Sequence, residues 1–373
     1  MLRATDIEQL RVGKLSISTS LLVRAAARLG LTYTILPERT VLISDGLHAH
    51  YFRGTSLPCI DMVAAAISSN KYLSRKLLRA AGIPTPRTKA LRNPTAWKQA
   101  LNSRLRFPLV VKPVTAAHGR GATMNIQRVS EVRAAVERAF AFMKKSGGGN
   151  RVLVEEFFTG DDIRLFVVGN TVASAVHRVP AYVVGDGTST ITQLVRTYNN
   201  EWKSPIEFDY PQCPIPFDAE IGRFLRYKNR RLSDVPTKNE HVQLRWNANV
   251  STGGRARDIT DDIHPHLKTL AVHAAQILQL PIAGIDMLVK DIHDPRIDHN
   301  RVVILEANAG AGIDIHELPA EGTGRPVTNE ILKYIYQPSA KKTAVNTAIQ
   351  THQKDLTTET YASPPRSRAL SHT

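Results

Sequence analysis

Three groups of polar residues interrupt or end runs that are otherwise apolar, and their types suit the handling of a charged phosphate. In VVKPVTAAHGRG, residues 110–121, Lys112 ends a β-branched run and His118, Gly119, Arg120 and Gly121 follow. An ammonium at a strand end can meet phosphate oxygens, and glycines let backbone N–H groups approach an anion closely. In VLVEEFFTGDDIRLFVV, residues 152–168, Glu155 and Glu156 close a hydrophobic run. Phe157 and Phe158 with free amides could hold an adenine edge, and Asp162 a ribose hydroxyl. Arg164 re-enters the strand between apolar neighbours, where an unpaired guanidinium is costly to desolvate, so it is expected to face an anion. In IAGIDMLV and VVILEANAG, Asp286 lies inside one apolar run and Glu306 at the end of another, with Asn308 two positions further on the same strand face. Buried acids without partners become neutral, so two strand carboxylates converging with a carboxamide point to a hard cation held by oxygen, magnesium above all.

Each group has a plainer reading when taken alone. A VVKP run is most often an ordinary strand end, an acid pair a solvated one, and Asp286 with Glu306 structural acids bonded to backbone amides. Their joint occurrence in this order favours nucleotide chemistry.

Elements that could position these residues are readable from periodicity and punctuation. Residues 14–30 carry helical spacing and stop at a glycine, short alternating runs follow in TYTIL and AHYFRG, and helical patterns return in DMVAAAISS and YLSRKLLRAAG. GIPTPRT, residues 82–88, cannot continue a helix and reads as a linker. Beyond it come the strand PLVVKP, the helix SEVRAAVERAFAFMKK, glycines at 147–149, the strand RVLVEEF, and a hairpin turning at Gly169 and Asn170. Residues 203–240 are proline-rich and irregular apart from a helical stretch near 217–228; a helix at 265–279 precedes the paired strands of Asp286 and Glu306. The chain turns polar after about Tyr336, and 338–373 is expected to be a disordered tail.

Composition narrows the class. The 373 residues are 42% hydrophobic and 22% charged, ordinary for a globular protein, and no apolar stretch reaches the roughly 20 residues of a membrane helix. The N-terminus lacks a hydrophobic signal core, and Cys59 and Cys213 are too few for a disulfide framework and too isolated for zinc, so a cytoplasmic location is expected. The net charge of +16 is spread along the chain, its densest run FLRYKNRRL at 224–232. That pattern disfavours nucleic acid as partner and favours a basic surface attracting small anions.

Taken together, KPVTAAHGRG, VEEFFTGDDIRLFVV, HRVPAYVVGDGTSTITQLV, NVSTGGRARDITDDIHP, AGIDMLV and LEANAGAG resemble an ATP-grasp ligase, in particular the ATP-grasp region of cyanophycin synthetases and bifunctional glutathione synthetases. The resemblance covers roughly residues 70–336 and implies an α/β (α+β) ATP-grasp fold, with nucleotide held between two α+β lobes. The implied organisation is a small α/β lobe over 1–105, an ATP-grasp domain over 106–337 and the tail beyond. It further implies that Lys71 and Lys112 hold nucleotide phosphates under a flap at His118–Gly121, and that Glu155, Glu156, Phe157 and Phe158 form the adenine hinge. Asp162 then bonds ribose, while Asp286, Glu306 and Asn308 hold magnesium, with manganese as the alternative ion. Arg255, in register with a basic position near an acyl-phosphate that Arg257 could equally fill, and Arg164 take the catalytic charge roles. Read without the resemblance, Lys71 is a helix-surface lysine, Arg255 a solvated loop arginine, and His264 and His316 structural histidines.

The activity so implied is ATP-dependent joining of a small carboxylate to an amine through an acyl-phosphate. Amino acids or short peptides are the expected substrates, with no membrane partner and homo-oligomerisation compatible. The rivals are a ligase adding amino acids to a protein C-terminus, since HRVP and DIRLFVV resemble such glutamate ligases, and a basic nucleotide-binding protein without catalysis. The further domains of cyanophycin synthetases have no counterpart in the sequence, which argues against two-step polymer synthesis. NAGAGIDIH also departs from those enzymes, placing Asp314 where they carry an arginine; Asp314 is therefore expected to face a cationic or uncharged group of the acceptor, or else to pair with a basic neighbour.

Overall fold

The structure is a computed structural model describing residues 3–103, 105–115, 121–146, 150–203 and 209–336. Two short helices, α1 (Ala4–Glu8) and α2 (Ile17–Arg28), precede an antiparallel sheet of β1 (Thr32–Leu36), β2 (Thr40–Ser44) and β3 (Ala49–Phe52). The Ser16 side chain accepts the Thr19 N–H to start α2, and Gly30, at φ +72°, ends it in the left-handed conformation that only glycine adopts without strain. Val41, Ile43 and Phe52 bury the inner face of this sheet against Leu21 and Leu22 of α2. Helices α3 (Met62–Ser69) and α4 (Lys71–Ala80) follow directly. Asp61 and Asn70 each accept two backbone N–H groups as N-caps, so α4 begins at Lys71 and puts its charge in the first turn.

The next segment builds a four-stranded antiparallel sheet from β4 (Thr88–Leu91), β5 (Leu109–Pro113), β6 (Thr123–Ile126) and β7 (Val152–Glu156), in the order β4-β7-β5-β6. The helices here are α5 (Trp97–Leu101) and α6 (Val129–Ser146). Val132, Ala135, Val136, Ala139 and Met143 recur at helical spacing on α6 and are buried with Val111, Ile126 and Val154 of the sheet. Pairing of β4 with β7 carries residues 88–91 across the boundary expected at 105, into the sheet that holds Lys112.

The remaining elements are β8 (Asp161–Val168), β9 (Thr171–Val179), β10 (Tyr182–Val184), α7 (Ile191–Glu201), α8 (Ala219–Tyr227), β11 (His241–Gln243), β12 (Arg255–Asp258), α9 (Pro265–Ile277), β13 (Ile282–Val289), β14 (Val302–Asn308), α10 (Asp314–Glu317) and α11 (Val327–Ile335). Five of the strands form an antiparallel sheet ordered β12-β9-β8-β13-β14, and β10 pairs with β11. The β8–β9 hairpin turns at Gly169, φ +59°, and Asn170, as its sequence predicts. Ile163, Leu165, Ala175, Ile285 and Met287 pack against Leu267, Ala271 and Ala274 of α9. Because side chains alternate along strands, that packing leaves Asp162, Arg164 and Asp286 on the opposite face. The turn after β14 lies close against β13, since a Cβ on Gly284 would sit 2.5 Å from the Ala311 methyl. No helix among the described residues is long and apolar enough to cross a membrane. The glycines at 147–149 and the tail expected beyond 337 lie outside the described residues.

Candidate active site

A cavity of about 670 Å³ is lined by residues of both the four-stranded and the five-stranded sheet. On one wall Lys112, at the end of β5, donates to Glu155 of β7 at 2.9 Å. Arg75, four residues after Lys71 on α4, reaches the other Glu155 oxygen and also donates to the Leu305 carbonyl through Nε at 2.8 Å and Nη2 at 2.7 Å. Glu155 is only 2% exposed. Burial pushes its pKa up, but Arg75 and Lys112 outweigh that and hold it below the ordinary carboxylate value. Burial, reinforced by Arg75, brings Lys112 down to about 8 against the pull of Glu155.

The other wall is set by register. Asp286 on β13 lies opposite Glu306 on β14 and opposite Arg164 on β8, so the three form one row across the sheet. Arg164 grips Asp286 in a fork, Nε to Oδ1 at 2.6 Å and Nη2 to Oδ2 at 2.8 Å. The anion that Arg164 was expected to face is therefore this carboxylate. Arg178 of β9 bridges Asp286, at 2.9 Å, and Asp162, at 2.5 Å. Burial works against the Arg178 charge, yet the two acids hold its pKa above the ordinary arginine value; burial pushes Asp162 up, with Arg178 opposing. Lys71 Nζ lies 3.0 Å from Glu306, and chiefly this lysine, set against burial, keeps Glu306 well below the ordinary range.

Lys71, Lys112, Glu155, Glu156, Phe157, Phe158, Asp162, Asp286 and Glu306 thus share one cavity, as the sequence led one to expect. The hinge differs in detail from that expectation. The Phe157 N–H is not free but donates to the Pro108 carbonyl at 2.9 Å, and the Glu156 side chain accepts the Arg106 N–H at 3.0 Å. Glu155 turns inward to its two cations, which leaves the Phe158 N–H as the hinge amide without a backbone partner among the described residues. Lys290 stands 5.1 Å from the Phe158 ring centroid.

Asp286, Glu306 and Asn308 offer only oxygen-bearing side chains, the chemistry a hard cation needs. No group of three or more His, Cys, Asp or Glu among the described residues could hold a metal ion by itself. Such a sparse set fits magnesium, which takes one or two carboxylates and completes its shell with phosphate oxygens and water. Asn308 lies across from Gly284, its Nδ2 3.5 Å from that carbonyl.

Other expected residues stand elsewhere. His118, Gly119 and Arg120 lie outside the described residues. Gly121, at φ +71°, packs where a Cβ would come within 2.8 Å of Phe142. Arg255 does not line the cavity: its guanidinium carbon sits 4.1 Å from the Tyr182 ring centroid and 5.0 Å from that of Tyr198, while Arg257 is exposed. Asp314 is 8% exposed and lies outside the cavity lining, because Ile313 and Ile315 on either side are drawn into the core. Among the described residues no ion pair joins it to a basic neighbour, although Arg164 acts on its charge. His316 is fully buried against Ser174 at 2.8 Å, and His264 caps α9.

Burial pushes Asp314 up to about 7, helped by Asp209 and opposed by its own and Ile315's N–H groups and by Arg164. A carboxyl raised in the folded state contributes stability that is complete below its unfolded pKa near 4 and lost as pH rises through about 7. Asp314→Asn is therefore expected to gain stability relative to wild type between pH 5 and 8, measured by urea unfolding. A difference that stays flat over that window would contradict the buried acid.

Three features of the site lie outside the residues expected from the sequence. Arg75 and Arg178 are buried arginines that orient the acids, and the signal available for Arg178 was the one used for Arg164, a guanidinium in an apolar strand. The third is an aromatic wall, in which Trp246 meets Phe224 at 5.0 Å and Tyr227 at 5.6 Å between ring centroids. Arg245, only 2% exposed, ties that wall to Asp218 at 2.7 Å and Glu220 at 3.0 Å.

The two antiparallel sheets whose residues line one cavity have the ATP-grasp fold, and residues 69–181 match the family model described as the phosphoribosylglycinamide synthetase ATP-grasp (A) domain. The similarity extends further along the chain. It is 30% identical over 357 residues to the cyanophycin synthetase of Crocosphaera subtropica, covering 95% of this chain and 40% of that protein. It is 32% identical over 324 residues to the bifunctional glutathione biosynthesis protein of Desulfotalea psychrophila, covering 85% and 41%. The crystal structure of a bifunctional glutathione synthetase from Pasteurella multocida superimposes with a TM-score of 0.63 at 26% identity, covering 87% of this chain and 44% of that one. The chain thus spans about 40% of the length of these curated relatives.

Proposed function

We propose that this chain is an ATP-dependent carboxylate–amine ligase acting on amino acids or short peptides through an acyl-phosphate. The observation that carries the reading is the meeting, in one cavity, of Lys71 and Lys112 with the acids Asp286 and Glu306. Phosphoryl transfer asks a protein mainly for alignment and charge neutralisation, and these residues supply both. In the proposed step a substrate carboxylate oxygen attacks the γ-phosphorus, the bond to ADP breaks, and an acyl-phosphate forms. The amine then attacks the acyl carbon, phosphate leaves, and the nitrogen loses a proton to solvent.

Lys112 and Lys71 would hold phosphate oxygens, exchanging their present carboxylate partners for the ligand. Phe158 would give the adenine a backbone donor and an apolar face. Asp286, Glu306 and Asn308 would hold magnesium, which supplies charge neutralisation at the transferred phosphoryl group. Glu306→Gln is expected to raise the magnesium concentration needed for half-maximal ATP binding several-fold, because one anionic ligand becomes neutral. A titration of a fluorescent ATP analogue at stepped magnesium checks this; identical curves for mutant and wild type would return Glu306 to a structural role beside Lys71.

A further inference from the structure

We propose that Arg255, clasped by Tyr182 and Tyr198 beside the nucleotide cavity, is a recognition site for a carboxylate group of the substrate; the proposal rests on the ligase reading and adds residues to it. Arg75, Arg164, Arg178 and Arg245 each hold a protein carboxylate. Arg255 holds none: among the described residues it makes no ion pair, its Nε is buried without a partner, and the Tyr198 hydroxyl is the polar side chain it meets. The hydroxyl of Tyr198 is buried beside it without a strong partner of its own. A cation and a phenol therefore sit side by side at 5.0 Å from guanidinium carbon to ring centroid, with no carboxylate supplied by the described residues. Buried donors left so are rare because each forfeits its bonds to water, and a ligand acceptor resolves the deficit.

The geometry selects the kind of ligand. Two aromatic rings within 4.1 and 5.0 Å of the guanidinium carbon favour the cation there, and a guanidinium offers a fork of N–H donors that matches two coplanar carboxylate oxygens. His241 stacks on Tyr182, with ring centroids 5.1 Å apart and planes at 29°, and backs the clasp. Burial pushes the Tyr198 phenol up to about 12, with Arg255 pulling the other way, so its hydroxyl remains a donor at neutral pH. Arg255 lies opposite Val179 in the β12–β9 register, and Val179 and Pro180 line the cavity. A substrate anchored here would reach into the nucleotide site from its border, without Arg255 touching the phosphates.

The test is direct binding to the full chain, using N-acetylglycine as a minimal carboxylate, its neutral amide as control and inorganic phosphate as the competing anion. The Arg255 Nε–Hε NMR signal, assigned by its absence from Arg255→Lys, should shift saturably with N-acetylglycine and stay still with the amide. Tyr198→Phe, which removes only the hydroxyl, should weaken the titration at least fivefold. No shift with N-acetylglycine, an equal response to the amide, or tighter binding of phosphate would each overturn the carboxylate assignment. The titration contains no ATP. A chain that releases ADP but fails it loses the clasp alone, whereas one that passes it and never releases ADP loses the ligase reading.

Discussion

Arg178→Met is expected to lower the unfolding free energy by about 3–5 kcal/mol, the range for removing one partner of a buried ion pair. Arg178 is 4% exposed and holds Asp162 and Asp286 together, so the mutation leaves two carboxylates in the sheet with only Arg164 between them. Asp286 keeps its fork from Arg164, but Asp162 loses its hydrogen-bonding cation. The second substitution Asp162→Asn in the same chain should therefore recover part of the loss, because it removes the stranded charge. Urea unfolding of the single and double variants measures both. A loss under about 1 kcal/mol for Arg178→Met would show that water already relieves this cluster.

Lys112→Ala is expected to lower kcat/KM for ATP by roughly 30- to 1000-fold, the equivalent of about 2–4 kcal/mol of transition-state stabilisation. The fold should survive, because Arg75 continues to hold Glu155 when the ammonium is gone. A pH signature accompanies the loss. With its pKa lowered to about 8 chiefly by burial, Lys112 is charged below that value and neutral above it. In the wild type KM for ATP should then rise as pH passes about 8, and Lys112→Arg, whose guanidinium stays charged, should flatten the rise. Wild-type turnover in Lys112→Ala would remove the lysine from the phosphate site.

What was legible in the sequence is what local pattern encodes. Lys112, Asp286 and Glu306 stood out because each is a charge in a strand too apolar to tolerate it, and the structure does gather them around one cavity. The hairpin at Gly169 and the glycine stop of α2 at Gly30 are local in the same sense. The partners were not legible. Arg75 meets Glu155 across 80 positions and Arg164 meets Asp286 across 122, through registers that no short window contains. For the same reason the Phe157 amide looked free, although the Pro108 carbonyl takes it. The burial of Asp314 was not legible, because a departure from a familiar motif says nothing of burial; its neighbours Ile313 and Ile315 are buried with it. The strand β2 and the aromatic wall at Trp246 were passed over, the first between two turns, the second inside a stretch whose prolines masked its packing.

The central claim, an ATP-driven ligation through an acyl-phosphate, is tested most directly by incubating the chain with ATP, magnesium and pooled amino acids and dipeptides whose carboxylates carry oxygen-18. The account predicts ADP, an amide product in the mass spectrum, and one heavy oxygen transferred to the released phosphate for each bond made. AMP and pyrophosphate in place of ADP, or phosphate free of the heavy oxygen while product accumulates, would contradict it.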